Sequence, residues 1–467
     1  MFLNLDQKKQ DHIAIIDNHG VMMTYGELST FSNDFFSNIN KRTLIFILCE
    51  NSAAPLAAYV SSLTNRVVPL MVSAHMDSDL LKKLVQSYRP EYLWVPNETS
   101  LCFEYSAVYH KLGYTLWKTD LKPYPLYDDL ALLLTTSGST GSAKYVRHSY
   151  LNVIENAKNV ARVFELDEEE VGMESLPLQF TQGLNVATSH LLSGATVLLT
   201  TDNIVQKEFW NFFKENHATS MTCVPYSIEL LDRLRFFRMD LPSFKVLNQG
   251  GGRLPDQLFK KCAEYAVNTN RRFIATYGST ETTSRMAYLP AEMAMTKCGS
   301  IGRPLPNCSF DLIDDEGNLI TDRHVIGEIV FKGPNVTLGY AESGQDLMKG
   351  DERQGVYQTG DLAYFDEDGC YFIVGRKKRF LKIFGYRISL DETERLIKDG
   401  YHIECACVGT DKKLTVFTTE QHQEQEIINF LAEKTHLHYS AFDVRTLDSI
   451  PKNDTGKTQY KVLETML

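Results

Sequence analysis

Long apolar runs are missing from this sequence. No stretch approaches the roughly 20 consecutive apolar residues that cross a bilayer, so no helical membrane span is expected. The opening MFLNLDQKKQDH lacks a charged start, an apolar segment and a small-residue cleavage site, so no secretory leader is expected either. Positive charge is in deficit: 48 Lys and Arg stand against 59 Asp and Glu, a net charge of −11. That balance argues against nucleic acid or an anionic membrane surface as the main partner, while leaving room for a local basic site. The nine cysteines are single except for the close pair Cys405 and Cys407, and none shows CxxC spacing or a disulfide framework. They read as reduced thiols of a cytoplasmic protein. No cluster of Cys and His suggests a metal centre, and no internal repeat or low-complexity tract occurs.

What is present is ordinary for a globular chain: 43% hydrophobic and 23% charged residues leave enough apolar surface for a sizeable core. At 467 residues, two or more domains are expected. Apolar runs such as RTLIFILCE, GATVLLT, ATSMTCVP, FKVLNQGG and RRFIATYG alternate with helix-period segments. That alternation marks an α/β architecture of parallel-rich sheets covered by helices. From about Phe310 the pattern changes to short strands and turns, FDLIDDEGNLI and GEIVFKGPNVTLGY, which read as a small β-structured subdomain. Asp368-Gly369 in AYFDEDGCYFIVG reads as a hairpin turn. After the basic cluster GRKKR a smaller α+β unit follows, with a boundary expected near Lys378: domains 1–377 and 378–467.

Residues 135–144, TTSGSTGSAK, follow the apolar run LALLL and precede a helix-like segment. A P-loop of the Walker type requires Gly-Lys-Ser/Thr, and here Ala143 precedes Lys144 and Tyr145 follows it, so that match is poor. Two readings remain from the loop alone: an ordinary glycine-rich turn, or a cradle whose backbone N–H groups, hydroxyls and lysine donate to polyphosphate oxygens.

Four further segments accompany it in order: YGSTETT at 277–283, YQTGDLAYF at 357–365, GRKKRFLKIFGYRISLDETE at 375–394 and PKNDTGKTQYKVL at 451–463. The set resembles the adenylate-forming superfamily of acyl- and aryl-CoA synthetases, peptide-synthetase adenylation domains and firefly-type luciferases. The likeness runs from MTYGELS at 23–29 to the end of the chain. It implies attack of a carboxylate on the α-phosphorus of Mg²⁺-bound ATP, release of pyrophosphate, and transfer of the acyl group from the adenylate to a thiol. Two anions must meet in the first step, so cations and fixed donors are needed.

By this resemblance Thr136, Ser137, Gly138, Ser139, Thr140, Gly141 and Lys144 wrap the β- and γ-phosphates. Tyr277 lies against adenine, Thr280 donates to the α-phosphate, and Glu281 holds Mg²⁺, a hard cation suited to one carboxylate plus phosphates and water. Gly250, Gly251 and Gly252 in NQGGGRLP form a pocket wall where ligand approaches backbone. Asp361 binds the ribose hydroxyls, and Arg376 adds a charged donor nearby. Lys457, in an exposed Pro- and Gly-bounded stretch, bridges the attacking carboxylate and the α-phosphate. The smaller domain is expected to rotate about Lys378 between the half-reactions, bringing Gly385 to the thiol channel, with Lys382 and Arg387 assisting. Lys377 and Arg379 also suit a plain solvated basic face.

By the same resemblance, Phe180 in LPLQFTQGLNVATSHLL stands at a gating position, and no Asp stands where amino-acid-activating relatives place one for the α-ammonium group, which disfavours amino acids. Gln179, Gln182, Asn185, Tyr226 and Ser227 either line the acyl pocket or sit on helix faces. No carrier domain follows the last motif, so the acceptor is CoA or the phosphopantetheine of a separate carrier protein, with CoA favoured. A noncatalytic nucleotide- or acyl-binding regulator on the same fold is the reading from another class, disfavoured because Lys457 and Glu281 are both present.

Overall fold

The structure, a computed structural model, describes residues 2–99, 105–135, 144–384, 386–435, 437–453 and 456–467. The chain divides into two compact units, one of Met1–Ser309 with Lys332–Tyr357 and the other of Phe310–Phe331 with Gln358–Leu467.

The first unit is built on two large sheets. Among the described residues, the eight-stranded sheet centres on Leu44–Cys49 and Val68–Ser73, with the short strand Gly339–Ala341 on one edge beside Tyr145–Ser149. The sequence LIFILC of Leu44–Cys49 is buried at every position, as expected of a parallel strand covered on both faces. Helices begin where the side chains allow it. Thr24 accepts from the backbone of Glu27 while Glu27 reaches back to Thr24, and Ser149 and Asn152 close the same reciprocal arrangement at the start of Tyr150–Phe164.

The nine-stranded sheet places Val171–Glu174, Ser220–Cys223, Val246–Gln249 and Arg272–Tyr277 side by side and parallel. Met221 pairs with Leu247, and Leu247 with Phe273, so these three strands run in step. Their carboxyl ends therefore open on one edge, from which the segments carrying Tyr226, Gly250–Gly252 and Gly278–Glu281 emerge. That edge is where ligands bind in open α/β sheets.

A polar seam crosses this unit's core. Arg285, fully buried, donates to the Asn185 and Asn248 side-chain oxygens, with the Asn248 contact at 3.0 Å. Asn156 links Asn185 to the Arg285 carbonyl at 2.9 and 2.8 Å. Asn185 is thus committed to a structural network, the helix-face alternative of the sequence reading.

His148 is wholly buried with its Nδ1 3.2 Å from the Thr283 hydroxyl. Burial, assisted by the Arg353 charge, pushes its pKa from 6.5 down to about 3. The folded chain therefore keeps this ring neutral while the unfolded chain protonates it near 6.5. Stability from neutral His148 is complete above pH 6.5 and is lost as the pH falls from 6.5 towards 3. The loss approaches about 1.4 kcal/mol per pH unit. Urea melts between pH 7 and 5 should show a shallower pH slope in His148→Gln than in the parent protein; equal slopes would assign the acid sensitivity elsewhere.

In the second unit, a five-stranded sheet is ordered Leu319–Ile320, Ser309–Ile313, Gly327–Lys332, Val356–Phe365, Tyr371–Arg376. Its last two strands form the hairpin expected from Asp368-Gly369: Gly369 has φ 69°, and Asp366 Oδ1 accepts from the N–H groups of Asp368 and Cys370. Farther along, a three-stranded sheet of Cys405–Thr410, Lys413–Thr418 and Phe442–Thr446 packs with the helices Leu390–Tyr401 and Glu424–Thr435. In the GRKKR cluster Arg376 and Lys378 are exposed, but Arg379 is not. Arg379 is mostly buried, donating to Asp391 at 2.5 Å and Glu394 at 2.6 Å with its guanidinium 3.6 Å from the Tyr460 ring centre. Lys377 pairs with Asp315 and Glu328. No helix among the described residues is long and apolar enough to cross a membrane.

Candidate active site

The strand Arg272–Tyr277 ends in half-buried Tyr277 and turns at once into a single 3-10 turn, Thr280–Thr282. The turn folds back tightly. Ser284 N–H donates to the Ser279 carbonyl at 3.1 Å and Met286 N–H to the Tyr277 carbonyl at 2.8 Å. Gly278 lies inside this fold, where an added Cβ would stand 1.6 Å from the Ser284 carbonyl oxygen. Thr280 is buried, its hydroxyl 3.4 Å from that of Thr181, and Glu281 is left half-exposed at the lip.

Glu281 is held from two directions. Its carbonyl accepts from Thr337 N–H at 3.0 Å, the Thr337 hydroxyl at 2.9 Å and Arg353 at 3.2 Å. Its carboxylate Oε1 accepts from the Tyr340 hydroxyl at 2.8 Å. Burial, then the neighbouring Glu281 charge, pushes the Tyr340 phenol up to about 12, which keeps it a donor. The same ring carries the Lys144 ammonium 3.7 Å from its centre and the Arg353 guanidinium at 4.7 Å. Lys144, Tyr340 and Arg353 line a cavity of about 430 Å³ with Glu342, Asp346, Lys349 and Glu352. Two side chains singled out from distant motifs, Lys144 and Glu281, therefore meet on one phenol. Sequence reasoning missed Tyr340 and Arg353; in FKGPNVTLGY the tyrosine closes a strand-and-turn pattern with no local sign of chemistry.

Arg147 pins the edge strand that carries Tyr340. Its fully buried guanidinium donates to the carbonyls of Tyr340 at 3.0 Å and Leu338 at 3.2 Å, and it pairs with the Glu352 carboxylate. Burial lowers its pKa, and Glu352 works against that shift.

The glycine run meets a side chain. A Cβ on Gly250 would lie 2.7 Å from Gln182 Nε2 and from the Thr276 hydroxyl, and one on Gly251 would lie 2.9 Å from Gln182 Oε1. The space beside this backbone is thus shared with Gln182, whose buried Nε2 finds no hydrogen-bond partner among the described residues. A Cβ on Gly252 would lie 3.2 Å from the Pro225 ring. Phe180 caps the helix Thr181–Ser193, half-buried like Gln179, while Tyr226 is exposed.

Within the second unit, the hairpin sets Asp361 directly opposite Arg376, and Arg376 Nε donates to Asp361 Oδ1 at 3.2 Å. Their separation of fifteen positions along the chain is closed by that hairpin. Lys457 is exposed on a tight turn: Asn453 N–H donates to its carbonyl and its own N–H to Asn453 Oδ1, both at 2.9 Å. Thr136, Ser137, Gly138, Ser139, Thr140, Gly141 and Gly385, and the side chains of Lys382 and Arg387, lie outside the described residues.

No group of three or more His, Cys, Asp or Glu among the described residues could hold a metal ion by itself. Glu281 is a carboxylate that suits a hard cation, and its Oε1 accepts from Tyr340.

In sequence and in fold the chain resembles known proteins. A 2-succinylbenzoate–CoA ligase of Bacillus mycoides (strain KBAB4) is 28% identical over 352 residues, 73% of this chain and 71% of that one. An indoleacetate–CoA ligase of Aromatoleum aromaticum (strain DSM 19018 / LMG 30748 / EbN1) is 32% identical over 284 residues, 60% of this chain and 54% of the other. An o-succinylbenzoate CoA synthetase from Bacillus subtilis, solved with ATP and magnesium, shares the fold at a TM-score of 0.79 and 21% identity, covering 99% of this chain and 98% of its own. The likeness read from the motifs holds at the level of family and fold. Residues 4–341 match the model of the AMP-binding enzymes, and the chain belongs to that family.

Proposed function

We propose that this protein is an AMP-forming acid–thiol ligase. An oxygen of a carboxylic acid attacks the α-phosphorus of ATP, the bond to the β-phosphate oxygen breaks and pyrophosphate leaves. A thiolate then attacks the acyl carbonyl and AMP departs with the mixed-anhydride oxygen. The observation that carries the reading is the meeting of Lys144 and Glu281 on Tyr340, since a cation and a carboxylate beside a cavity are what a metal–polyphosphate requires.

In this reading Lys144 and the loop 136–141 bind the leaving phosphates, and Thr280 donates to the α-phosphate. Glu281 holds Mg²⁺, which supplies neutralisation of phosphate charge when bound. Tyr277 packs on adenine beside Gly250–Gly252, and the Asp361–Arg376 pair takes the ribose. Lys457 carries the charge that lets the carboxylate approach. Residues 378–467 turn about Lys378 between the two steps, and Gly385 then lines the thiol channel. CoA is the acceptor, which the two curated relatives support, each being a CoA ligase. The substrate is not an amino acid, because residues 176–192 hold no Asp for an α-ammonium group. A reducing, cytoplasmic setting accords with the eight unbonded cysteines among the described residues.

The test is acid-dependent exchange of labelled pyrophosphate into ATP across a panel of aryl, aryl-alkyl, dicarboxylic and fatty acids, followed by CoA or a phosphopantetheinyl carrier. Exchange with at least one acid, and an acyl-CoA product from it, is the expected result. Acyl transfer to the carrier alone would replace CoA as acceptor, and no exchange with any acid would leave the regulator reading standing.

A further inference from the structure

A carboxylate that ligates a hard cation must present its oxygens in a set direction, and the donor behind it fixes that direction. Glu281 has its main chain fixed through Thr337 and Arg353, which leaves only its side-chain torsions free. Tyr340 constrains those torsions by donating to Oε1 at 2.8 Å. The phenol itself has little freedom. Its strand pairs in register with the segment that follows Lys144, with Tyr340 opposite Val146 and Gly339 opposite Arg147. Arg147 clamps the carbonyls on both sides of Gly339, and the Lys144 and Arg353 cations both lie over the Tyr340 ring, 3.7 and 4.7 Å from its centre. Every contact in this chain of support belongs to the first compact unit.

We propose that Tyr340 is a positioning residue for the adenylation step, its hydroxyl aiming the Glu281 carboxylate at the metal that accompanies ATP. This inference rests on the ligase reading. It predicts an effect that runs through the metal. Tyr340→Phe keeps the ring under Lys144 and removes only the hydroxyl. Calorimetric titration with ATP in EDTA should give the parent affinity. The tightening that Mg²⁺ adds should fall roughly tenfold, the low end for loss of a donor behind a metal ligand. The Mg²⁺ concentration for half-maximal pyrophosphate exchange should rise by a similar factor, with CoA transfer from supplied acyl-adenylate unchanged.

Glu281→Gln supplies the second arm. If Tyr340 acts through that carboxylate, adding Tyr340→Phe to Glu281→Gln should change Mg²⁺ dependence no further. The proposal is overturned if Tyr340→Phe leaves Mg²⁺ dependence at the parent value. It is equally overturned if metal-free and Mg²⁺-bound ATP affinities fall together, or if the two substitutions add. Failure of the ligase reading looks different: the parent protein would then release no pyrophosphate with any acid.

Discussion

Lys457→Ala is expected to slow acid-dependent pyrophosphate exchange by about a hundredfold or more while leaving CoA transfer from a supplied acyl-adenylate within about twofold. Withdrawing one charged donor from the centre where negative charge builds up costs about 2.7–4 kcal/mol, which is that factor. The turn carrying Lys457 is closed by main-chain bonds and by Asn453, Gln459 N–H reaches the Pro451 carbonyl at 2.8 Å, and Lys452 bridges Thr458. These bonds use main-chain atoms and the Asn453 side chain. The two half-reactions need different charges: the first brings two anions together, whereas the second expels AMP from a neutral acyl carbonyl. Equal losses in both would sink the assignment of Lys457 to adenylation.

Gly278→Ala is expected to cost more than any other single methyl group in the site. Its Cβ would stand 1.6 Å from the Ser284 carbonyl oxygen, 2.6 Å from the carbonyl carbon and 2.7 Å from Arg285 Cα. All three are backbone atoms, so no rotamer change relieves the overlap. Gly278 is not among the glycines of positive φ, so what it supplies is space rather than an unusual angle. The turn must open, straining the bonds from Ser284 to Ser279 and from Met286 to Tyr277. Overpacking of this kind destabilises by about 3 kcal/mol. Thr280 and Glu281 ride on the same turn, and a displacement of about 1 Å at such groups costs about a hundredfold in rate. A lowered urea midpoint together with that loss of exchange is the expected pair of results. Parent-level stability and activity would mean that the turn relaxes without moving Glu281.

The segments around Tyr277–Glu281, Asp361 and Arg376 were legible because each lies where local rules act. A strand end followed by a glycine turn, and an Asp-Gly hairpin, are specified within about ten residues. The hairpin then makes the cross-strand pairing of Asp361 with Arg376 a matter of register. Tyr340 and Arg353 were illegible for the opposite reason. An edge strand sets Tyr340 beside Tyr145–Ser149, 193 positions along the chain from Arg147, and no periodicity encodes which strand it will join. Arg379 misled in the same way: four basic residues in a row suggest solvent, but Asp391 and Glu394 on a later helix draw this one inward.

By itself the sequence determined the family and the α/β class, and it supplied the groups proposed for nucleotide work, since these follow from short motifs and from hydrophobic period. Only the tertiary structure decided which of those groups share a neighbourhood and what holds them there. It put Lys144 and Glu281 on the Tyr340 phenol, Gln182 against the Gly250–Gly251 backbone, and Asn185 in the service of Arg285. The physical reason is range: caps, turns and strand patterns are set by neighbours along the chain, whereas the aim of a carboxylate is set by whichever side chain folding brings beside it.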